Sequence, residues 1–354
     1  MLEKLPLEII EKCFKNKIIL LRMTSKKIRQ FLNIIQQPIP LTINSKWLRD
    51  PNNGNITIKH NIIFKSIISF KYISSLVLNN CRLDPKTAKK LEEVIKNNTH
   101  NLTHINLKAN QIGPDGMKSI GNIIKKSPLL LHLDISCNDI KDEGVYSLTR
   151  WIGMCKKLKH LNLAYNQIRP KGINSLRKKI SILPIKFLDI SNNCLGSTGI
   201  KFLKNFESLT IKYLNLCYNQ IGSNDVNNLE QMLRKCPNIT DINLSNNLIG
   251  LERFPIVFKM CEYLEYLDLS YNQIGNDGIE SFVRELRKCK TLLSLNLSNN
   301  KIDDISANSL SGVLGECKSL VCLKLHNNNI GSIGIEKIRQ VYKGKRILKI
   351  EKKN

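Results

Sequence analysis

The sequence predicts an α/β solenoid in which a short parallel strand and a helix alternate along most of the chain. The first observation is a repeat, because the pattern L-x-x-L-x-L-x-x-N-x-I recurs ten times between Ile73 and Lys345. The second is its period, since successive copies follow at intervals of 25 to 29 residues. The third is a change in apolar spacing within each copy, from strand alternation to helical spacing. Repeats of this length stack side by side because none can bury its apolar edge alone.

One copy, Leu158–Ile168, shows how the pattern predicts a strand. We number its eleven positions from the first Leu. Side chains of a strand alternate between two faces, so positions 4 and 6, Leu161 and Leu163, are expected in the core. Positions 3, 5 and 7, which include His160 and Ala164, are expected to face outward.

Position 9 is Asn in nine copies and Cys81 in the first. Its side-chain amide suits a turn, where it can satisfy backbone groups, and stacked copies are expected to form an Asn ladder. After the turn, apolar residues recur at helical spacing, as in Gly172, Leu176 and Ile180. Each copy therefore predicts strand, turn and helix. The Asn residues are Asn110, Asn138, Asn166, Asn193, Asn219, Asn247, Asn272, Asn300 and Asn328.

The pattern and its period of about 28 residues resemble the leucine-rich repeats, and the helix in each copy resembles the ribonuclease-inhibitor subtype. This resemblance implies a horseshoe with parallel strands on the concave face and helices on the convex face. The seventh copy departs from the pattern, because Glu252–Pro255 follows Asn247 with no Gly and with Pro at the expected helix start. We expect a shortened helix there.

The composition of the chain restricts the classes of protein to which it can belong. The chain of 354 residues has no apolar run long enough for a membrane span, and its first residues lack the profile of a signal peptide, so we expect a cytoplasmic protein. Its eleven Cys residues are then expected to be thiols. Five of them precede a strand by three residues, where a small apolar side chain fits. A zinc site would need four converging ligands, which a linear column does not supply. The five are Cys155, Cys236, Cys261, Cys289 and Cys317.

The net charge of +26 suggests nucleic acid as a partner, but its distribution argues against it. Positions 3, 5, 7 and 8 carry only Lys108 and Lys324 as cations. The lysines are expected on the convex side, where they favour solubility. Four acids occupy the same outward positions: Asp134, Asp189, Asp241 and Asp268.

Aromatic and His residues cluster at positions 3 and 8, and an exposed aromatic cluster favours a binding surface for a protein target. The alternative is that these side chains only pack on one another across strands. The His column could also bind a metal or sense pH, but a solvated polar stripe is the simpler interpretation. We find no signature of an enzyme or a cofactor. The candidate target-binding residues are His104, His132, His160, Tyr165, Phe187, Tyr213, Tyr218, Tyr266 and Tyr271.

Residues 1–40 lack the repeat and predict amphipathic helices. Their order of residues resembles the F-box, whose usual pattern is L-P-x-E-I, then I-F, then L-L-R-x-x-x-V-S-K-x-W-R. Ile28 replaces the usual Trp, and the gap between Phe14 and Ser25 is about four residues shorter than in the family. The matching residues are Leu5, Pro6, Glu8, Ile9, Phe14, Leu21, Arg22, Ser25, Lys26 and Arg29.

An F-box followed by leucine-rich repeats resembles the substrate receptors of Skp1–cullin–F-box ubiquitin ligases, and also the F-box/repeat proteins of large DNA viruses. The resemblance implies a monomeric adaptor without catalysis of its own, acting in the cytoplasm of a host cell if viral. Two alternatives remain: a scaffold or inhibitor whose first 72 residues only cap the solenoid, and a GTPase activator of the Ran type. The residues that the resemblance implies for binding Skp1 are Leu5, Pro6, Ile9, Ile10, Phe14 and Leu21.

The ends of the repeat array are expected to be capped. Residues 41–72 predict an N-terminal cap or irregular first repeat with Trp47 in its core. Residues 73–345 hold the ten repeats, and residues 346–354 predict a basic C-terminal cap around a partial strand at Ile347–Ile350.

Overall fold

The computed structural model describes residues 39–42, 73–250, 263–287, 289–341 and 347–349. The F-box-like residues Leu5 to Leu21, the predicted core residue Trp47, Cys261 and the irregular segment Glu252–Pro255 lie outside this part. Contacts divide the chain into two units. The N-terminal unit comprises Met1–Gln167 and Ile182–Pro184, and the C-terminal unit comprises Ile168–Ser181 and Ile185–Asn354.

In the N-terminal unit, neighbouring strands pair in parallel and in sequence order. Position 4 of each copy lies beside position 4 of the next, as with Leu133 and Leu161. Each strand is three to five residues long. Because position 4 pairs with position 4, like pattern positions of successive copies form columns. The strands are Ile39–Thr42, Ile73–Val77, His104–Asn106, His132–Asp134 and His160–Asn162.

The C-terminal unit repeats this arrangement, again with parallel pairing between neighbours. Its strands are Phe187–Asp189, Tyr213–Asn215, Asp241–Asn243, Tyr266–Asp268, Ser294–Asn296, Cys322–Lys324 and Ile347–Lys349.

A helix separates most successive strands. In the N-terminal unit the helices are Pro85–Ile95, Gly113–Lys125 and Lys141–Thr149, followed by the 3₁₀ turn Ile152–Met154. In the C-terminal unit they are Pro170–Ile180, Gly196–Leu203, Val226–Arg234, Asn276–Leu286, Asp304–Leu314 and Ser332–Val341, with the 3₁₀ turn Ser223–Asp225. The predicted alternation of strand, turn and helix is therefore confirmed.

The core lies between strands and helices, as the pattern predicts. Leu161 and Leu163 are fully buried, and so are the helix residues Leu176 and Ile180. The apolar faces of strand and helix thus exclude water from one layer in each unit, which is the main source of stability in such repeats.

The prediction that Ala164 at position 7 faces outward is wrong, whereas Lys108 at the same position of the second copy is exposed as predicted. Ala164 is only 6% exposed, and Ser136 at the same position in the preceding copy is 2% exposed. The strand ends at Asn162, whose Oδ1 accepts a hydrogen bond from the Ala164 N–H at 3.0 Å. Strand alternation ends with the strand because this side-chain turn bends the chain; the small side chain of Ala164 is then buried, while the long side chain of Lys108, which follows the same turn, is exposed.

The Asn ladder is present in the structure. Asn300 is fully buried, and its Nδ2 donates to the carbonyl groups of Leu269 at 2.8 Å and Leu297 at 3.1 Å. Its Oδ1 accepts a hydrogen bond from the Asn272 N–H of the preceding copy at 3.1 Å. Each such Asn satisfies backbone groups of its own turn and of its neighbour, which keeps buried polar groups paired.

The Cys residues that precede strands behave as small apolar side chains. Cys155 and Cys236 are fully buried, and burial raises the pKa of each thiol to about 12. The Cys155 Sγ lies 3.6 Å from the carbonyl oxygen of Ser127, which occupies the corresponding site one copy earlier. A thiol with a raised pKa in an apolar site is inert, which fits a structural role.

Candidate functional site

The residue at position 8 adopts a left-handed backbone in every copy. The φ angles lie between 52° and 58°, and the chain turns there from the strand toward the helix. Asn tolerates this conformation better than most L residues. Five of the ten positions are accordingly Asn. The residues are Asn80, Ala109, Cys137, Tyr165, Asn192, Tyr218, Asn246, Tyr271, Asn299 and Asn327.

Tyr165, Tyr218 and Tyr271 occupy this position, although a bulky side chain fits a left-handed backbone poorly. They are 57%, 52% and 53% exposed, so burial compensates for little of the unfavourable conformation. The turn requires a left-handed backbone in every copy but does not require Tyr, so the unfavourable choice of residue is a reason to look for binding. Neither backbone preference nor core packing explains the choice of Tyr at these three positions.

The His column of the N-terminal unit is stacked. The ring centroids of His104 and His132 lie 5.7 Å apart, and those of His132 and His160 lie 3.9 Å apart with 15° between their planes. Burial is the main cause that lowers the pKa of His160 to about 4; the positive charge of His132 lowers it further, while Asp134 opposes the shift. The pKa of His132 is also lowered, chiefly by burial. The rings of His132 and His160 are therefore neutral at pH 7.

Stacked rings are unsuited to holding one ion. The lone pair of an imidazole nitrogen lies in the ring plane, so nearly parallel rings direct their lone pairs side by side. Within the part of the chain that the structure describes, there is no group of three or more His, Cys, Asp or Glu side chains arranged to bind a metal.

Phe187 and Tyr213 stack in the C-terminal unit, with ring centroids 4.3 Å apart and 2° between the planes. The pKa of Tyr213 is raised to about 12, chiefly by burial and in smaller part by the carboxylates of Asp189, Asp241 and Asp268. Tyr213 therefore remains a neutral phenol at pH 7, and the nearby Asp carboxylates disfavour its deprotonation.

Asp241 lies between two aromatic residues in the same column. It pairs with Tyr213 on one neighbouring strand and with Tyr266 on the other. Tyr266 is 46% exposed, and the Thr240 hydroxyl donates to Asp241 Oδ2 at 2.6 Å. The order of the copies predicts Asp241 between Tyr213 and Tyr266 in this column, and strand register shows these two residues as its neighbours.

A shallow groove at the start of these strands was not predicted from the sequence. Its volume is about 500 Å³, and Leu209 and Tyr263 expose most of their side chains beside it. The signal in the sequence is an apolar or aromatic residue three or four positions before a strand begins, where the pattern requires none: Tyr263 before Tyr266 and Leu209 before Tyr213. The lining residues are Lys186, Leu209, Thr210, Lys212, Asn238, Thr240, Tyr263 and Glu265.

The candidate residues thus fall into two groups, one in each unit. His104, His132, His160 and Tyr165 belong to the N-terminal unit. The C-terminal unit holds Phe187, Tyr213, Tyr218, Tyr266 and Tyr271. The residues proposed from sequence to bind Skp1 lie outside the described residues.

Comparison with known families gives one match. A family model described as leucine-rich repeat matches seven segments of the chain. They are residues 98–121, 126–148, 155–176, 184–204, 261–283, 288–311 and 316–338. No curated protein matches the chain.

Three solved structures are similar to the chain at low identity. An internalin from Listeria monocytogenes is 17% identical, with a TM-score of 0.42, over 82% of this chain and 88% of that one. A plant peptide hormone receptor in complex with its ligand RGF2 is 21% identical, with a TM-score of 0.46, over 82% of this chain and 41% of the receptor. A complex of TLR13 with single-stranded RNA gives 17% identity and a TM-score of 0.45, over 75% of this chain and 37% of that protein. At this similarity none of the three indicates a ligand for this chain.

Among the described helices, none is both long enough and apolar enough to cross a lipid bilayer.

The seven matched segments coincide with copies in which the structure places a parallel strand followed by a helix. The chain therefore contains leucine-rich repeats and has the leucine-rich-repeat fold.

Proposed function

We propose that this chain is a non-catalytic adaptor that binds a protein target through the outward face of its strands. Leucine-rich repeats are typically scaffolds for protein–protein interaction, which supports the general assignment. The observation that carries the proposal is the set of exposed tyrosines on left-handed backbone, Tyr165, Tyr218 and Tyr271. Tyr supplies a large, rigid contact area and is enriched among residues that dominate binding energy.

The test is a triple variant in which Tyr165, Tyr218 and Tyr271 are each replaced by Asn, the residue that the same position carries in other copies. A photo-crosslinking residue at 213 in the otherwise native chain first identifies the bound protein in cells. We expect the triple variant to lose that protein while its fold is retained, as checked by circular dichroism. The matched control is Tyr146→Asn, which removes an exposed Tyr from the helix Lys141–Thr149. Equal binding by the triple variant and the control would contradict the proposal.

The finer proposal is that residues 1–40 recruit Skp1, so that the chain is the substrate receptor of a ubiquitin ligase. Its support is the order of F-box-like residues, which begins with Leu5 and Pro6 and continues through Leu21. Ubiquitin transfer to a target held on the repeats is then a matter of tethering, because a bound target experiences a high effective concentration of the ligase. This function requires only binding from the chain itself. We propose a monomer acting in the cytoplasm, that of an infected host cell if the chain is viral.

Binding of purified Skp1 to the full chain tests the finer proposal. We expect saturable binding that is lost in the double variant Leu5→Asp/Ile9→Asp. The matched control is Ile305→Asp/Ile333→Asp, which adds the same charges at side chains that are 66% and 67% exposed. No binding of the native chain at tens of micromolar would leave an interaction scaffold or inhibitor, with residues 1–72 acting as a cap. Deleting residues 1–35 should then leave target binding unchanged.

A further inference from the structure

Acidic and aromatic side chains share one surface of the C-terminal unit. Tyr213, Asp241 and Tyr266 lie side by side on three neighbouring strands. Other members lie at position 5 or just beyond the strand ends. We call this set the aromatic–acidic surface; it consists of Asp189, Tyr213, Tyr218, Asp241, Tyr266, Asp268 and Tyr271.

The carboxylates of this surface are held in fixed positions. Asp189 accepts hydrogen bonds from the Ser191 N–H at 2.9 Å and from Asn215 Nδ2 at 3.1 Å. Asp268 accepts from the Ser270 N–H at 2.9 Å and from Asn296 Nδ2 at 3.0 Å. These donors are neutral, so the negative charges are oriented but not compensated.

No salt bridge within the described ranges involves these carboxylates. The ion pairs found there join other residues, such as Lys118 with Asp115. At the outward strand positions of this unit, the cation nearest to Asp268 in strand order is Lys324, two strands away, and Lys349 pairs with it on the next strand. Negative charge therefore accumulates on this surface, in agreement with the raised pKa of Tyr213.

This accumulation contrasts with the chain as a whole, whose net charge is +26. A positively charged ligand is repelled by the rest of the protein, so only the local chemistry of this surface favours it. A guanidinium group suits both components, because it stacks on the face of Tyr and forms charge-assisted hydrogen bonds with carboxylates.

The distance between the exposed tyrosines sets the distance between the guanidinium groups that could stack on them. Tyr218 and Tyr271 follow strands that are two apart, with Asn246 between them. The backbone hydrogen bonds continue through these turns, from the Tyr218 N–H to Ser245 at 3.2 Å and from the Asn246 N–H to Ser270 at 2.9 Å. Two strand spacings amount to about 10 Å. Three residues of a polyproline II helix advance by about 9 Å and complete one turn, so side chains three residues apart lie on the same face.

From this geometry we infer that the aromatic–acidic surface binds an arginine-containing segment of the target in the polyproline II conformation, with two arginines three residues apart. The inference rests on the proposed function and names the chemistry of its partner. Each guanidinium stacks on one of the exposed tyrosines, Tyr218 or Tyr271, and the carboxylates of Asp241 and Asp268 supply the opposite charge.

Fluorescence anisotropy with a labelled peptide tests the inference on the full chain. The probe has the sequence Ser-Thr-Arg-Ser-Thr-Arg-Ser-Thr with blocked ends, and the control peptides carry Gln in place of Arg or two adjacent arginines. We expect saturable binding of the probe, at least fivefold weaker binding of both control peptides, and weaker binding as salt is raised. The variant Asp241→Asn should weaken probe binding about fivefold or more. The matched control Asp115→Asn, which removes one exposed carboxylate from the helix Gly113–Lys125, should not.

The outcomes separate this inference from the proposed function. No saturable binding of the probe up to about 1 mM, or equal binding to the Asp241→Asn variant, overturns the basic-segment inference. The proposed function stands in that case if the triple Tyr→Asn variant still loses the target protein. If both the peptide and the target bind the triple variant as they bind the native chain, both proposals fail.

Discussion

Asn296 donates a side-chain hydrogen bond to Asp268 Oδ2 on the neighbouring strand at 3.0 Å. The same relationship joins Asn215 to Asp189 at 3.1 Å and, in the N-terminal unit, Asn162 to Asp134 at 3.4 Å. Asn and Asp at position 5 are therefore complementary across strands. The other carboxylate oxygen of each Asp accepts an N–H from its own turn, as Asp268 Oδ1 does from Ser270 at 2.9 Å, and so does the single side-chain oxygen of each Asn, as Asn296 Oδ1 does from Ser298 at 3.2 Å. The column of amides and carboxylates is explained by these hydrogen bonds and needs no catalytic role.

The variant Asn296→Asp should be destabilised at neutral pH, because it places a second carboxylate against Asp268. We expect a loss of about 1–3 kcal/mol in the free energy of unfolding at pH 7. Mutual repulsion raises the folded-state pKa of one carboxyl, so the loss should shrink as the pH falls toward 4 and a proton is shared. Urea unfolding at pH 7 and pH 4.5 measures this difference. A loss that is the same at both pH values would show that the two side chains are not coupled.

Removal of one Asn from the ladder should strongly destabilise the folded chain. Asn300→Ala leaves buried backbone groups of two copies unpaired, among them the Leu269 carbonyl and the Asn272 N–H. We expect the free energy of unfolding to fall by at least about 3 kcal/mol. The control Asn308→Ala removes an exposed Asn from the helix Asp304–Leu314 and should change stability by less than about 0.5 kcal/mol. Similar urea midpoints for the two variants would contradict the ladder interpretation.

The strand-end tyrosines should be replaceable without loss of stability. Tyr218→Asn substitutes a residue that tolerates left-handed backbone at a side chain that is half exposed. We expect the variant to be more stable than the native chain by about 1 kcal/mol, because the unfavourable conformation of Tyr is removed. Thermal and urea unfolding provide the measurement. A clear loss of stability would mean that Tyr218 contributes packing, and would weaken the argument that it is retained for binding.

The His column should make stability depend on pH. The folded-state pKa of His160 is about 4, below its ordinary value of 6.5, with burial as the main cause, the charge of His132 adding to it and Asp134 opposing it. The unfolded chain therefore takes up a proton at a higher pH than the folded chain does, and stability falls as the pH drops from about 6.5 toward 4. His160→Gln should lose less stability than the native chain between pH 7 and pH 5. Parallel losses in the two proteins would exclude this contribution from His160.

Thiol labelling should distinguish the Cys residues by burial. Cys155 and Cys236, whose pKa values are raised to about 12, should resist iodoacetamide in the folded protein at pH 8. Cys194 is exposed and should be modified rapidly. Mass spectrometry after brief labelling, with and without urea, locates the modified residues. Labelling of Cys155 in the folded chain at the rate of Cys194 would contradict the buried site.

The sequence by itself determines the repeats and their internal order. A period near 28 residues and the alternation of Leu161 and Leu163 predict strand, turn and helix, because apolar residues report which face of each element meets the core. The Asn at position 9 predicts the ladder for a similar reason: a buried turn must pair its backbone groups, and only a few side chains can do so. Both predictions depend on interactions that every copy repeats.

The contacts between side chains of neighbouring copies were decided only by the tertiary structure. Within the His column that the repeat predicts, the tertiary structure stacks the ring of His132 on that of His160, and it pairs the side chains of Asn296 and Asp268. The pattern could not predict that Ala164 turns inward, because alternation holds only while the backbone stays extended and a side-chain hydrogen bond ends the strand. Local patterns encode the burial of each residue within its own copy. Distances between side chains on neighbouring strands depend on register and on turn geometry, and these are set only when the copies pack together.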